Sequence, residues 1–180
     1  MRAVFLDRDG VINRKAPEGE YIAKWGEMRF LPGTFASVSA LSRAGFQIIV
    51  VTNQRGIALG KVCLKDLQEM HKRMKAHFSR HGALITDVYF CPHDIWEDCS
   101  CRKPKPGLLL QAAEEHALDL PSCWMIGDAA SDIEAGRNAG CRTVWILPAE
   151  AQQRNNPQAD LRAPHLPSAV GKILRAVAGS

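Results

Sequence analysis

The sequence predicts an α/β fold, in which a doubly wound and mostly parallel β-sheet carries helices on both faces. Short apolar runs alternate along the chain with segments of helical periodicity, which is typical of parallel sheets with right-handed crossovers. Polar or charged residues follow several of these runs, as they do where the strands of such a sheet end at a ligand site. With 180 residues, 46% of them hydrophobic, the chain is most simply one domain spanning residues 1–180.

Five apolar runs are predicted to be the strands of this sheet. They are rich in Val, Ile, Phe and Trp and are bounded by Gly, Asp or Pro, which is the pattern of buried strands between turns. The predicted strands are residues 3–6, 46–51, 87–90, 123–126 and 142–147. Helical patterns lie between them, so that successive strands can run parallel.

Five helices are predicted from apolar residues at spacings of three and four. Four of them are marked by the apolar sets Phe35, Val38 and Leu41; Leu67, Met70, Met74 and Phe78; Leu109, Ala112, Ala113 and His116; and Val170, Ile173, Leu174 and Val177. Thr34 is the predicted N-cap of the first helix, which Gly45 ends. The remaining helix, fourth along the chain, is predicted to start at Ser131 and to end near Gly140.

Three segments fit neither pattern. Residues 13–31 form a polar loop after the first strand, and residues 92–106 contain most of the clustered cysteines. Residues 148–164 are rich in Gln, Asn and Pro, and we interpret them as a surface connection.

Composition excludes several classes of protein. The formal charge is only +4 and no long run of Lys and Arg occurs, which argues against a nucleic-acid-binding surface. No apolar run approaches the length of a membrane span, and the first strand begins too early to leave room for a signal peptide. We therefore expect a cytoplasmic monomer whose six cysteines are reduced.

Two carboxylates, Asp7 and Asp9, directly follow the first predicted strand. Alternate residues of an extended chain point to the same side, so both carboxylates face one side of the strand end. Gly10 then allows the backbone to turn sharply. Two like charges this close raise each other's pKa unless a cation lies between them. The pair indicates a bound metal, a carboxyl group that keeps its proton, or both.

Further polar residues stand at the ends of the neighbouring strands. The second strand is followed by Thr52, Asn53, Gln54 and Arg55, the loop after the third strand reaches Arg102 and Lys103, and the fourth strand leads to Asp128. Ligands of open α/β sheets bind at the carboxyl ends of the strands. We therefore expect these groups to meet at one edge, and their combination is far more specific than any one of them.

This set of groups suits phosphoryl transfer. Asp7 is the candidate nucleophile, which would form an aspartyl-phosphate. Asp9 is the candidate general acid and base, acting first on the leaving alkoxide and then on water. Asp7, the carbonyl of Asp9 and Asp128 are the candidate ligands of Mg²⁺, which prefers carboxylate and phosphate oxygens. Thr52 and Lys103 would bind the phosphoryl oxygens.

A second cluster consists of Cys91, His93, Cys99 and Cys101. Three thiolates and an imidazole complete a tetrahedral Zn²⁺ site without an open position, which indicates a structural ion. The alternative is a disulfide, although two cysteines one residue apart bridge poorly. Because the loop that this site would fix also carries Arg102 and Lys103, zinc would act on function indirectly.

The ordered motifs at the four strand ends resemble those of the haloacid dehalogenase (HAD) superfamily. The similarity extends from Leu6 to Asp132 and implies that Asp9 marks a phosphatase or phosphomutase. Only short connections separate the motifs, so the resemblance implies a chain without a large cap domain. Within the segment Cys-Arg-Lys-Pro it favours Lys103 over Lys105 as the phosphate-binding lysine, with Arg102 on the substrate.

The zinc motif narrows the resemblance to the group of heptose-bisphosphate and histidinol-phosphate phosphatases. The first two motifs are more similar to the heptose enzymes, which implies hydrolysis of the C7 phosphate of D-glycero-D-manno-heptose 1,7-bisphosphate in the synthesis of nucleotide-activated heptose for lipopolysaccharide. The resemblance places further substrate contacts at Glu18, Gly19, Glu20 and Tyr21, and at Asn53 and Gln54. Arg55 is our candidate for the second phosphate, because a guanidinium matches phosphate oxygens in a fork.

Three other functions compete with a sugar phosphatase. Histidinol-phosphate phosphatase is the nearest, and the acidic Glu18 and Glu20 would suit its cationic substrate. A nucleic-acid end phosphatase or zinc-containing binding module is disfavoured by the low charge and by the lack of an aromatic stacking run. A catalytically inactive interaction protein is disfavoured because every expected acid is present.

Overall fold

Six strands form one parallel sheet in the computed structural model, which describes residues 1–147 and 158–179. The strands are β1 (Ala3–Leu6), β2 (Gln47–Asn53), β3 (Asp87–Cys91), β4 (Trp124–Gly127), β5 (Arg142–Ile146) and β6 (Leu161–Ala163). Their order across the sheet is β3-β2-β1-β4-β5-β6, and every neighbouring pair is parallel. The chain reverses its direction of travel across the sheet between β1 and β4, which is where such folds open a crevice for ligands.

Five α-helices cover the two faces of the sheet. They are α1 (Thr34–Arg43), α2 (Leu64–Arg80), α3 (Gly107–Glu115), α4 (Ala130–Asn138) and α5 (Leu166–Ala178). Val4 and Leu6 of β1 belong to the same core as α1, α2 and α5, whereas Ala3 and Phe5 belong to the core under α3 and α4. Alternate residues of one strand therefore fill two separate cores, and the predicted doubly wound α/β fold is confirmed.

The connections next to β2 are short. The chain between β1 and β2 contains one α-helix, α1, and the chain between β2 and β3 contains one, α2. Neither connection holds a cap domain, in agreement with the sequence prediction. In the described part of the chain, no helix is both long enough and apolar enough to cross a membrane.

Several local predictions are wrong in detail. The N-cap of α1 is Gly33, and Thr34 is already helical, its hydroxyl donating to the carbonyl of Leu31 at 2.7 Å. The N-cap of α4 is Ala129, so that Ser131 lies inside the first turn. Strand β2 continues through Thr52 and Asn53, because both residues pair with β3.

The segment predicted as a surface connection, residues 148–164, contains a strand that the sequence analysis did not predict. Residues 161–163 form β6 at the edge of the sheet, where they pair with β5. Residues 148–157 of the same segment lie outside the described residues. We also expected the three cysteines outside the Cys/His cluster to be buried as small hydrophobic residues. Cys123 and Cys141 are buried, whereas Cys63 is exposed at the N-cap of α2.

Candidate active site

Asp7 is the first residue after β1 and lies at the crevice between β1 and β4. Its backbone N–H donates to the carbonyl of Ile126 at 3.0 Å, which ties the end of β1 to β4. Gly10 follows with a φ of +96°, and a Cβ at this position would lie 2.0 Å from Asp128 Oδ2. Only glycine lets the turn after β1 approach Asp128 this closely.

Lys103 is buried in the crevice with all three of its N–H donors in use. Its Nζ lies 2.8 Å from Asp7 Oδ1, 2.6 Å from Asp132 Oδ1 and 2.9 Å from the carbonyl of Val51. Burial alone would lower the pKa of Lys103, but the charges of Asp132 and Asp7 raise it above its ordinary value. The structure thus places a permanent positive charge against the candidate nucleophile.

Asp132 is a site residue that the sequence analysis missed. It stands in the first turn of α4, where its Oδ2 accepts a hydrogen bond from the backbone N–H of Ala129 at 3.0 Å. A Cβ on Gly127 would lie 2.1 Å from Asp132 Cβ, so glycine is needed at the end of β4. The spacing of Asp128 and Asp132, four residues apart at the start of a helix, was the available signal.

Asp9 is held by four N–H donors from three residues. Its Oδ2 accepts from Arg8 Nε at 3.2 Å, from Arg8 NH2 at 2.8 Å and from Gln54 Nε2 at 3.1 Å, and its Oδ1 accepts from Asn13 Nδ2 at 2.8 Å. Burial would raise the pKa of Asp9, but Arg8, Asn13 and Gln54 together lower it. Asp9 is therefore a fixed carboxylate next to Asp7.

The end of β2 supports the loop that carries Lys103. Asn53 Nδ2 donates to the carbonyl of Lys103, and Asn53 Oδ1 accepts from the Lys103 N–H, both at 3.1 Å. Thr52 Oγ1 accepts from Gln54 Nε2 at 2.9 Å. Asn53 thus acts on the backbone of Lys103, while Thr52 borders the crevice.

A cavity of about 260 Å³ lies above these groups. Among the predicted site residues it is lined by Asp7, Asp9, Glu20, Tyr21, Thr52, Asn53, Gln54, Lys103 and Asp128. Seven further residues of the cavity were not predicted as site residues, among them the charged Arg8, Lys15 and Asp132. The sheet therefore brings the ends of three predicted strands and two loops together around a single polar space.

Four predicted substrate residues do not line this cavity. Arg55 instead pairs with Asp94, with its Nε 2.6 Å from Asp94 Oδ1, and Arg102 NH1 donates to the carbonyl of His93 at 3.3 Å. Both guanidinium groups are therefore directed to residues 92–106, which we call the cysteine-rich loop. Glu18 and Gly19 are exposed on the loop after β1.

Lys105, the alternative phosphate-binding lysine, lies outside this cavity. It is exposed and pairs with Asp98, whereas Lys103 contacts Asp7 directly. The geometry thus favours Lys103.

Three carboxylates at the crevice fit a divalent cation. Carboxylate oxygens of Asp7, Asp128 and Asp132 lie within 4.8 Å of one another, and Asp128 Oδ1 is buried without a hydrogen-bond partner. Burial raises the pKa of Asp7 to about 7 against the opposing charge of Lys103, and burial also raises the pKa of Asp128. A cation bound here in addition to Lys103 would favour the ionised forms of Asp7 and Asp128, so the three carboxylates are suited to Mg²⁺. Lys15 Nζ lies 2.6 Å from Asp128 Oδ2 at the same place.

The Cys/His cluster has dimensions that fit zinc. Cys91 Sγ lies 3.7 Å from Cys99 Sγ and 3.5 Å from His93 Nδ1, and His93 Nδ1 lies 3.2 Å from Cys101 Sγ. A tetrahedron with Zn–S bonds of about 2.3 Å has S···S edges of about 3.8 Å, whereas a disulfide would need about 2.05 Å. All four predicted ligands therefore converge.

Known proteins are similar to this chain in sequence and in fold. A family model described as HAD-hydrolase-like matches residues 100–175. A D-glycero-β-D-manno-heptose-1,7-bisphosphate 7-phosphatase of Pseudomonas putida is 39% identical over 81% of this chain and 82% of its own length. A D-glycero-α-D-manno-heptose-1,7-bisphosphate 7-phosphatase of Mycobacterium bovis is 37% identical over 79% of this chain and 78% of its own length.

Solved structures match almost the whole chain, and we describe one of them. The structure described is a D,D-heptose 1,7-bisphosphate phosphatase from B. bronchiseptica, complexed with magnesium and phosphate. The two structures have a TM-score of 0.88 at 27% sequence identity, and the match covers 98% of this chain and 99% of the other.

Proposed function

Because this chain belongs to the family of D-glycero-D-manno-heptose-1,7-bisphosphate 7-phosphatases within the HAD-like hydrolases, we propose that it removes the C7 phosphate of this sugar bisphosphate. Its product would then enter the synthesis of nucleotide-activated heptose. The observation that carries the proposal is the contact of Asp7 with the buried Lys103 beside Asp9, in a cavity open to a small substrate. A nucleophile, a phosphate-binding cation and an acid–base group are thereby within reach of one phosphoryl group.

In the first half of the reaction, a carboxylate oxygen of Asp7 attacks the phosphorus atom and the bond from phosphorus to the C7 oxygen breaks. With substrate bound, the N–H that Lys103 donates to Asp7 would turn to a phosphoryl oxygen, and the hydroxyl of Thr52 would donate to another. Negative charge is spread over these oxygens in the transition state. Asp9 donates a proton to the departing alkoxide. The anionic phosphoryl group itself raises the pKa of a neighbouring carboxyl group, so Asp9 can take up this proton as substrate binds.

In the second half, Asp9 accepts a proton from the water that attacks the aspartyl-phosphate. Inorganic phosphate leaves, the Asp7 carboxylate is restored, and Asp9 releases its proton to solvent until the next substrate binds. Asp7, Asp128 and the carbonyl of Asp9 would hold Mg²⁺, which when bound would neutralise the charge between carboxylate and phosphate. Asp132 would keep Lys103 in place and is not needed as a direct phosphate contact.

The Cys/His cluster would act at a distance from the chemistry. We propose that Cys91, His93, Cys99 and Cys101 hold a structural Zn²⁺, supported by the tetrahedral spacing of their donor atoms. The loop that they fix leads directly into Arg102 and Lys103. None of the six cysteines is in a disulfide, which supports our expectation of a cytoplasmic enzyme.

Phosphate release from a panel of substrates tests the proposal. The panel contains both anomers of D-glycero-D-manno-heptose 1,7-bisphosphate, a hexose bisphosphate and histidinol phosphate, each assayed with Mg²⁺. We expect the highest kcat/KM for one of the two heptose anomers. A higher value for histidinol phosphate, whose cationic group Glu20 at the cavity would favour, would replace the proposed substrate.

A further inference from the structure

Arg8 stands between the two motif carboxylates, and its side chain is almost completely buried, with 1% of the residue exposed. A buried guanidinium is costly unless its charge is paired and its N–H groups are hydrogen-bonded. Two of its nitrogens, Nε and NH2, donate to Asp9 Oδ2. Its charge is therefore matched by Asp9, but its third nitrogen, NH1, points elsewhere.

The remaining nitrogen of Arg8 meets a histidine on α2. Arg8 NH1 lies 3.1 Å from His71 Nε2 and 3.7 Å from Met70 Sδ. His71 is also buried, with 6% of the residue exposed, and its ring packs near the ring of Phe90. Because a guanidinium has only donors, Nε2 must be the acceptor, which requires a neutral ring with its proton on Nδ1.

We propose that His71 is a positioning residue for the phosphatase reaction, which fixes Arg8 and through it the orientation of the Asp9 carboxylate. The chain of contacts is His71 to Arg8 to Asp9, and it joins α2 to the end of β1. The inference rests on the proposed function, since the orientation of Asp9 matters only if Asp9 transfers protons.

The same contacts assign the proton to one atom of Asp9. Oδ2 accepts three N–H groups, two from Arg8 and one from Gln54, so no lone pair is left for a proton. Oδ1 accepts only one, from Asn13 Nδ2. The proton that passes to the alkoxide and returns from water is therefore carried on Oδ1. Without the two hydrogen bonds from Arg8, the Asp9 carboxylate could rotate and exchange its two oxygens.

Substitutions of His71 separate positioning from packing. His71→Gln keeps an acceptor for Arg8 in its amide oxygen, whereas His71→Leu has none. Met74→Leu is the matched control, since it changes another buried side chain of α2 and leaves both acceptors of Arg8 NH1, His71 and Met70, in place. With a heptose bisphosphate we expect His71→Leu to lower kcat by about 10- to 100-fold with KM within threefold, and His71→Gln and Met74→Leu to stay within threefold of wild type.

A substrate with a better leaving group shows whether the loss of activity lies in protonation of the leaving group by Asp9. The nitrophenolate of p-nitrophenyl phosphate leaves without a proton, so the pre-steady-state burst of nitrophenolate should be unchanged in His71→Leu. A kcat for His71→Leu within twofold of wild type, or an equal loss of the burst, would overturn the proposal. If the wild-type enzyme prefers another primary alkyl phosphate, the proposed substrate is wrong. The ratio of variant to wild-type kcat on that ester then still tests the role of His71.

The tautomer of His71 provides a test that does not depend on enzymatic activity. Nitrogen-15 NMR of the full chain labelled at histidine, assigned by comparison with His71→Gln, should show His71 neutral at pH 7 with the proton on Nδ1. A proton on Nε2 would make this atom a donor facing Arg8, and the proposed contact would be wrong.

Discussion

Lys103 Nζ lies closer to Asp132 than to Asp7, at 2.6 Å from Asp132 Oδ1 against 2.8 Å from Asp7 Oδ1. All three side chains are buried. One ammonium group therefore has two carboxylate partners, of which only Asp7 stands at the end of β1 as candidate nucleophile. Asp132 balances the attraction of Lys103 to Asp7, so that Lys103 stays beside the nucleophile without being bound to it alone.

Replacing Asp132 by Asn should test this balance. With its second partner neutral, Lys103 would bind Asp7 more tightly and hold its carboxylate away from the phosphorus atom. We expect kcat to fall by about 100-fold. Glu134→Gln, an exposed change on the same helix, is the control and should leave kcat unchanged. An Asp132→Asn enzyme with more than half the wild-type kcat would contradict this role.

Replacing Asp7 by Asn should abolish phosphate release, because an amide oxygen does not form the acyl phosphate. The fold should persist, since Lys103 keeps Asp132 and the carbonyl of Val51 as partners. Steady-state assay and thermal unfolding of the same preparation check both statements. Retention of even a tenth of the wild-type activity would rule out the covalent mechanism.

Removal of divalent cations should stop turnover. Mg²⁺ is expected to restore activity after chelation, and Ca²⁺ to inhibit, because Ca²⁺ accepts more ligands and looser geometry around Asp7. Initial rates after chelation and readdition of each ion measure this. Full activity with chelator present and no ion restored would count against a metal at Asp7 and Asp128.

The protein should lose stability in mild acid partly through His71. Burial, and then the charge of Arg8, lower the pKa of His71 to about 3. A histidine near 6.5 when unfolded binds more protons in that state, so the free energy of unfolding falls as pH drops below about 6.5. Between pH 7 and pH 5 this amounts to about 2 kcal/mol.

The comparison of wild type with His71→Gln isolates this contribution, because glutamine does not titrate. Urea unfolding at both pH values should show a larger acid-dependent loss of stability for wild type than for the variant. Equal losses would mean that His71 is charged in the folded protein or titrates alike in both states.

Replacing Cys99 by Ser should remove zinc and loosen the loop that leads to Lys103. The sheet should survive, because its strands are built from other parts of the chain, while kcat/KM should fall by about 100-fold through misplacement of Arg102 and Lys103. Cys63→Ser is the control, since Cys63 is exposed outside the cluster. Elemental analysis of wild type should give one zinc per chain, and less than about a tenth, with full activity, would refute the zinc site.

The sequence by itself determined the strand ends at the site to within two residues, and hence which side chains share one edge of the sheet. Asp7, Thr52 and Asp128 could be predicted together, because the carboxyl ends of parallel strands meet whatever the details of packing. The Cys/His cluster could be predicted as well, since its four donors lie within eleven residues of one another. In both cases the pattern lies in short stretches of sequence, and regular backbone geometry brings their side chains together.

Only the tertiary structure decided the partners of the charged groups. Arg8 and His71 are 63 residues apart, and they meet because α2 packs against the end of β1. Arg55 was expected at a second phosphate, yet it pairs with Asp94 of the cysteine-rich loop. A long cationic side chain can reach any anion within several ångströms, so its partner is set by the packing of distant elements, which local sequence patterns do not contain.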